Sequence, residues 1–359
     1  VTNRLSETYG YQGAAWYERE VMIPSSWVNR PVELHMERTK VSELFVNGQP
    51  VGHRNSVSTP HLYRIDSLFK KGRNHIAIRV DNTKSLLPLG GSHAYSEHTQ
   101  TNWNGILGDI YLRLLPDISI RHIRIDSSVD GNCMVRVSLD NHARICLDNQ
   151  HLGITVKDDE GRIIAQQEVW VNVIPGCSVY PIETNIPNPR LWDEYSPALY
   201  TFHIDIRGYD SKLVRHGIRS FTTEGRQFVN NGRTVFLRGK NESGVFPLTG
   251  YASMNTDDWR RYFSIIRSYG LNHVRFHSWT PPEAAFIAAD EAGIFLQTEL
   301  PLWGTYRETD TVLISYMKEE GKRIIEEYGN HPSFVMLSLG NELEGDTAVM
   351  ADIVKEFKE

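Results

Sequence analysis

Residues 329–342 read Gly-Asn-His-Pro-Ser-Phe-Val-Met-Leu-Ser-Leu-Gly-Asn-Glu, and this stretch decides the fold. Its apolar run is bounded by turn-forming residues, which is typical of a short buried strand. The run ends by presenting Asn341 and Glu342. In a (β/α)8 barrel the active-site residues follow the carboxyl ends of the buried strands. The stretch therefore predicts a barrel strand that carries chemistry at its end.

Four strand–helix units are predicted after residue 223. The strands are expected at 236–241, 273–279, 295–300 and 333–339, and the helices at 256–269, 281–293, 310–328 and 346–357. Such units fit both a doubly wound parallel sheet and a barrel. The barrel is favoured because no G-x-G-x-x-G motif follows a strand, and because polar side chains fall at or just past the strand ends. Those side chains belong to Asn241, His277, Trp279, Glu299 and Glu342.

The residues before 223 alternate with a period of two instead, which predicts β-structure. Residues 1–117 contain alternating runs at 32–36, 43–46 and 75–80, and then a polar stretch at 88–108 that predicts a long loop. Residues 118–222 contain further short runs, which predict an immunoglobulin-like sandwich. These runs lie at 118–125, 134–139, 152–157, 162–170 and 200–208.

Composition excludes several classes of protein. The 359 residues carry a formal net charge of −6 without a basic block, which argues against a nucleic-acid partner because phosphates require clustered Lys and Arg. No apolar run is long enough to suggest a membrane span. Cys133, Cys146 and Cys177 lack the spacing of a zinc site, so buried free thiols are expected. The first residues contain neither Met nor an apolar stretch, so no signal peptide is expected and the beginning looks cut.

Six segments together resemble glycoside hydrolase family 2, which includes β-galactosidases, β-glucuronidases and β-mannosidases. The most specific is the 329–342 stretch, which resembles the family signature ending in Ser-Leu-Gly-Asn-Glu. The others lie at 13–21, 44–52, 72–82, 236–241 and 269–275. The resemblance implies a jelly-roll β-sandwich of sugar-binding type over 1–117 and the immunoglobulin-like β-sandwich over 118–222. It implies the first half of a (β/α)8 TIM barrel, strands one to four, over 223–359.

The resemblance also assigns roles. Glu342 would be the catalytic acid/base, Asn341 would bind the sugar 2-hydroxyl, and Arg275 would support the nucleophile. The remaining residues expected to bind substrate are Asn241, His277, Trp279, Glu299 and Trp303, with Asn102 and Trp103 reaching in from the jelly-roll loop.

Structural explanations compete with three of these assignments. Glu342 could serve only as a helix-start carboxylate, since such residues are common at helix N-termini. Arg275 could form a structural ion pair. The loop bearing Asn102 and Trp103 could pack on the next domain.

The sequence departs from the family pattern in three places. These are residues 242–244, residues 276–279 and residues 300–304, of which the last lacks a His that some β-galactosidases use for a metal. The departures leave the identity of the sugar open, and neither a metal nor another cofactor is expected.

The expected activity is retaining hydrolysis of terminal β-linked sugars by two carboxylates. In the family the nucleophile is a Glu on the seventh barrel strand, and Glu344, Glu356 and Glu359 lie on the last loop and helix rather than on another strand. The chain is therefore expected to be an inactive fragment that self-associates through open strand edges. A carbohydrate is the expected ligand, and the periplasm or the exterior is the favoured compartment. Two alternatives are a non-catalytic carbohydrate-binding protein, using Trp16, Trp27 or Trp103, and a structural adhesion protein, which would leave residues 340–342 unexplained.

Overall fold

The computed structural model describes residues 11–93, 95–96, 103–143, 145–246 and 248–358. The alternating residues of the first segment bury one face each and form two antiparallel sheets, with strand orders β1-β6-β3-β4 and β5-β2-β7. The strands are β1 Ala14–Ile23, β2 Val32–Arg38, β3 Val41–Val46, β4 Gln49–Arg54, β5 His61–Ile65, β6 Gly72–Asp81 and β7 Leu107–Leu114. Asn47 and Gly48 both have positive φ, as a tight hairpin between β3 and β4 requires. The predicted β-sandwich is thereby confirmed.

The second segment is also a sandwich of two antiparallel sheets, with strand orders β11-β10-β13-β14 and β12-β9-β8. Its strands are β8 Ile118–Ser127, β9 Asn132–Asn141, β10 Leu147–Lys157, β11 Ile163–Val173, β12 Gly176–Asn185, β13 Tyr200–Ile206 and β14 Asp210–His216. The sequence did not predict β12 or β14. Strand β12 lies at a sheet edge, is mostly exposed and contains Pro181, so it lacks the alternation that marks half-buried strands.

The three cysteines differ from expectation. Cys133 is buried as predicted, whereas Cys146 and Cys177 are exposed, and all three are free thiols. Cys146 lies in the connection just before β10, and Cys177 is the second residue of β12, the edge strand of its sheet. The prediction of buried thiols was therefore wrong for two positions.

The third segment begins with a small antiparallel sheet and continues as a parallel sheet of order β18-β19-β20-β22. The small sheet consists of β15 Phe221–Glu224, β16 Gln227–Asn230 and β17 Arg233–Val235. The elements that follow are β18 Gly239–Glu242, α1 Thr256–Ser268, β19 His273–Phe276, α2 Glu283–Ala292, β20 Phe295–Glu299, β21 Trp303–Tyr306, α3 Thr311–Tyr328, β22 Phe334–Ser338, β23 Asn341–Gly345 and α4 Thr347–Lys358. The four predicted strand–helix units are confirmed. The first strand begins three residues later than predicted.

Local chemistry explains the helix boundaries. The side chain of Asn255 caps α1 by accepting a hydrogen bond from the Asp257 N–H, and Asp310 caps α3 in the same way through the Leu313 N–H. Gly293 ends α2 in the left-handed conformation that glycine adopts without strain. No helix among the described residues is long and apolar enough to cross a membrane.

One pair of strands was not predicted. Strands β21 and β23 form a two-stranded parallel sheet above the carboxyl ends of the barrel strands. Glu344 therefore lies on a strand, and its expected place on a loop was wrong. The two segments are too short and too polar for their pairing to show in the local pattern, because the pairing exists only once β20 and β22 lie side by side.

The second domain forms hydrogen bonds with the loop that precedes β22. Asn330 donates through Nδ2 to the carbonyl of Ile123 at 2.6 Å and accepts from the N–H of Ile125 at 2.9 Å. Arg219 donates to the carbonyls of Pro332 and Phe334 at 2.6 and 2.8 Å. The start of β22 is thus attached to the sandwich as well as to its own sheet. The domain boundaries expected at residues 117 and 222 stay predictions.

Candidate active site

Successive side chains of the parallel strands point to opposite faces of the sheet. Val274 and Phe276 are fully buried, and Arg275 between them lies on the opposite face. Arg275 is in register with Asn241 on one side and with Gln297 on the other. Polar side chains at equivalent positions of neighbouring parallel strands therefore share one face near the carboxyl end of the sheet.

Arg275, whose side chain is 30% exposed, joins two buried polar side chains. Its Nε donates to Oε1 of Glu299 at 2.5 Å, and its Nη2 donates to Oδ1 of Asn341 at 2.9 Å. Glu299 is completely buried. Burial raises the pKa of the Glu299 carboxyl, and the charges of Arg275 and His277 oppose that rise. The network links the ends of β19 and β20 to the residue before Glu342.

Gly340 begins a backbone turn that ends with an exposed Glu342. Gly340 has φ of +134°, and a Cβ there would lie 2.4 Å from the carbonyl oxygen of Leu302. The N–H of Asn341 donates to that same carbonyl at 2.9 Å. Glu342 itself has φ of +45° and an exposed side chain. A non-glycine residue with positive φ is uncommon and is often found at functional positions.

The Glu342 carboxylate has one hydrogen bond to a side chain in the described structure. The indole Nε1 of Trp303 donates to its Oε2 at 2.8 Å. Trp303 begins β21 and is paired in register with Asn341 of β23. The short sheet thus brings the donor and the carboxylate together.

His93 was not predicted as a site residue. This residue lies in the predicted long loop of the first domain, and its ring is 4.4 Å from that of His277 and stacks 5.7 Å from that of Trp303, between centroids. Burial lowers the pKa of His93 to about 4, so the ring is neutral. The polar composition of residues 88–108 predicted a long loop, but nothing in its local pattern distinguished this histidine.

The remaining expected residues fall in different places. Asn241 is exposed on the sheet face that carries Arg275. Trp279 is 3% exposed, packs in the hydrophobic core and donates its indole hydrogen to the Glu242 carbonyl, so its ring face is unavailable to a sugar. Trp103 is buried, with the Lys40 ammonium 4.2 Å from its ring centre, which places it inside the first domain. Asn102 lies outside the described residues.

Four buried polar atoms at this site have no hydrogen-bond partner within the described part of the chain. They are His93 Nδ1, His277 Nδ1, Glu299 Oε2 and Asn341 Nδ2. Buried polar atoms in native proteins are nearly always satisfied by protein, water or ligand. Two of them, His277 Nδ1 and Glu299 Oε2, lie 3.6 Å apart, and Asn341 Nδ2 is a donor without an acceptor.

Three family models match consecutive parts of the chain. "Glycosyl hydrolases family 2, sugar binding domain" matches residues 2–116, "Glycosyl hydrolases family 2" matches residues 118–219, and "Glycosyl hydrolases family 2, TIM barrel domain" matches residues 221–359. The three matches follow one another along the chain.

Curated relatives agree with these matches. A putative beta-glucuronidase of Formosa agariphila is 29% identical over 93% of the chain, and a beta-galactosidase of Priestia megaterium is 25% identical over 93%. The chain spans 40% and 34% of the length of these two proteins. Among solved structures, a putative beta-galactosidase of Bacteroides fragilis has a TM-score of 0.83 at 20% identity, over 97% of this chain and 53% of that one. The last likeness concerns the fold.

Proposed function

Because the chain belongs to glycoside hydrolase family 2, we propose that it carries the acid/base part of a β-glycosidase active site. The observation that carries the proposal is the exposed Glu342 carboxylate, which follows a barrel strand on left-handed backbone beside an Asn341 fixed by Arg275. Barrel enzymes place their catalytic groups at this end of the strands. The competing explanation, a carboxylate that serves only a helix start, fits less well because Glu342 lies on β23, five residues before α4 begins.

Glu342 would act first as an acid and then as a base. Its proton passes to the glycosidic oxygen as the bond from that oxygen to the anomeric carbon breaks, while a second carboxylate forms a bond to the anomeric carbon. In the next step water attacks the same carbon, Glu342 takes a proton from that water, and the second carboxylate leaves. The configuration at the anomeric carbon is retained overall.

Asn341 would orient the sugar. Its Oδ1 already accepts a hydrogen bond from Arg275, so its Nδ2 is left to donate. A donor at this point suits the oxygen of the 2-hydroxyl, whose hydrogen bond strengthens in the transition state.

We do not assign the nucleophile to Glu299. Its carboxylate is fully buried, and Oε1 is held by Arg275 while Oε2 lies 3.6 Å from His277 Nδ1. A carboxylate must reach the anomeric carbon to attack it, so Glu299 is better suited to hold Arg275 in place. We propose that the nucleophile belongs to a further barrel strand of the natural chain, in keeping with the length of the relatives. Residues 1–359 alone are then expected to show no turnover.

The proposal is tested on the full natural chain with aryl β-galactosides and aryl β-glucuronides, and cleavage of either substrate supports it. Glu342→Gln should lower kcat/KM on a poor leaving group by about 100-fold or more, the range for loss of general acid catalysis. Glu344→Gln, a neighbouring exposed carboxylate on the same short strand, is the matched control and should retain activity. NMR of the first-formed sugar should show retained configuration. Equal losses in the two variants, or an inverted product, would refute the assignment.

Glycan binding without catalysis is a second candidate. A cavity of about 610 Å³ lies between β1 and β7 of the first domain, and Tyr17 and Tyr111 contribute to its largely apolar lining. Aromatic faces of this kind suit sugar rings. Calorimetric titration of the Glu342→Gln protein with oligosaccharides, repeated after Tyr111→Ala is added, decides between the two sites. Tyr111→Ala should abolish the binding only if the binding occurs in this cavity.

A further inference from the structure

Glu342 is held in its orientation by Trp303. An exposed glutamate on an irregular backbone has several accessible rotamers, and the 2.8 Å hydrogen bond from the Trp303 indole selects one of them. An indole N–H can only donate, so Oε2 of Glu342 is the acceptor. The other oxygen, Oε1, is left to carry the proton.

Trp303 is itself held from two sides. Its backbone pairs with Asn341 in the short sheet, and it also forms a parallel bridge with Gly90 of the first domain. Its ring stacks at 18° on that of His93 and lies 5.8 Å from that of His277. The His93 N–H in turn donates to Oγ of Ser278 at 3.2 Å, which anchors the loop on the barrel.

We propose that Trp303 is a positioning residue for the acid/base Glu342, and that residues 89–93 of the first domain complete this support by packing His93 on the indole. The inference rests on the proposed function and adds a role for the first domain that is independent of sugar binding. The first domain acts on the proton transfer through Trp303 and does not itself touch the reacting atoms.

The contact is tested first in the 359-residue chain, without any assay of activity. The indole ¹H–¹⁵N resonance of Trp303 is assigned by its loss in Trp303→Phe. Glu342→Ala is a surface change that removes the acceptor, so this resonance should move upfield and its hydrogen should exchange faster. His93→Ala should move the same resonance. The indole of Trp170, which is 68% exposed in the second domain, is the internal control and should not change. A Trp303 resonance that is the same in wild type, Glu342→Ala and His93→Ala would overturn the proposal.

The functional part is tested in the full natural chain. Trp303→Phe keeps an aromatic ring and removes the donor, so it should lower kcat/KM on a phenyl glycoside about tenfold more than on a dinitrophenyl glycoside, which needs little protonation. His93→Ala should act in the same direction with a smaller effect. Equal losses on both substrates would indicate a merely structural role and refute the inference. If wild-type protein cleaves no glycoside, the proposed function fails, while the resonance of Trp303 still decides whether it holds Glu342.

Discussion

The Nη2 of Arg275 donates a 2.9 Å hydrogen bond to Oδ1 of Asn341, and so joins the second barrel strand to the residue that precedes Glu342. The same guanidinium neutralises the buried Glu299. One side chain therefore fixes the amide of Asn341 and stabilises a carboxylate that burial would otherwise penalise.

Arg275→Ala should destabilise the protein and should also release the side-chain amide of Asn341 from its fixed orientation. It leaves Glu299 buried without its closest cation, and breaking a buried pair costs about 3 kcal/mol. Arg64→Ala is the matched control, because its ion pair with Asp66 is exposed and should contribute about 0.5 kcal/mol or less. Urea unfolding monitored by fluorescence measures both. Similar losses for the two variants would contradict the role given to Arg275.

Gly340→Ala should displace Glu342. The substitution places a Cβ 2.4 Å from the Leu302 carbonyl on backbone with φ of +134°, so the turn must move at a cost of about 1–3 kcal/mol. Gly304→Ala, two residues beyond Leu302, meets only a side-chain atom at 3.8 Å and has no such constraint. In the Gly340 variant the indole resonance of Trp303 should shift, and in the Gly304 variant it should stay. A shift of the indole resonance in both variants would indicate that the backbone around Trp303 responds to substitution in general.

Asn330→Ala should loosen the second domain from the barrel. It removes hydrogen bonds to the backbone of Ile123 and Ile125, with an expected loss of about 2 kcal/mol in the free energy of unfolding. Asn185→Ala removes one exposed side-chain contact to Asn132 and should cost less than about 0.5 kcal/mol. Thermal unfolding and hydrogen exchange in β8 provide the measurements. Unchanged exchange in β8 would contradict the attachment of this domain to the barrel through Asn330.

Stability should fall on acidification through His216. Its Nδ1 donates to the Asn330 carbonyl and its Nε2 accepts from Ser127 Oγ, and burial lowers the pKa of His216 to about 4. The unfolded chain takes up a proton near the ordinary value of 6.5 while the folded ring stays neutral, so stability is lost as pH falls from about 6.5 towards 4.

His216→Gln should reduce the steepness of that loss, because Gln does not titrate. Exposed His53→Gln should leave the slope unchanged. Denaturant unfolding between pH 4 and pH 7 measures the slopes (a range taken from the two pKa values). Identical slopes in wild type and the His216 variant would show that other groups control the acid response.

Several features of this fold could be read from local patterns. The apolar run of β22 and the capped helices α1 and α3 follow from periodicity and from end chemistry within about ten residues, and the order of strands and helices predicted the barrel units. Glycines 293 and 340 also appear where the chain must turn in a left-handed way. The family and the fold class predicted from these motifs are confirmed.

Local patterns in the amino-acid sequence were thus enough to predict the three domains in outline, the barrel strands and Glu342 at the end of one of them. The stacking of His93 on Trp303, the hydrogen bond from Trp303 to Glu342 and the burial of Trp279 in the core became visible only in the folded protein. The physical reason is sequence separation: His93 and Trp303 meet through domain packing and strand register, which no local period encodes. A tryptophan at a strand end has the same local pattern whether its ring faces a ligand or the interior. The packing of the surrounding helices determines which of the two directions the ring takes.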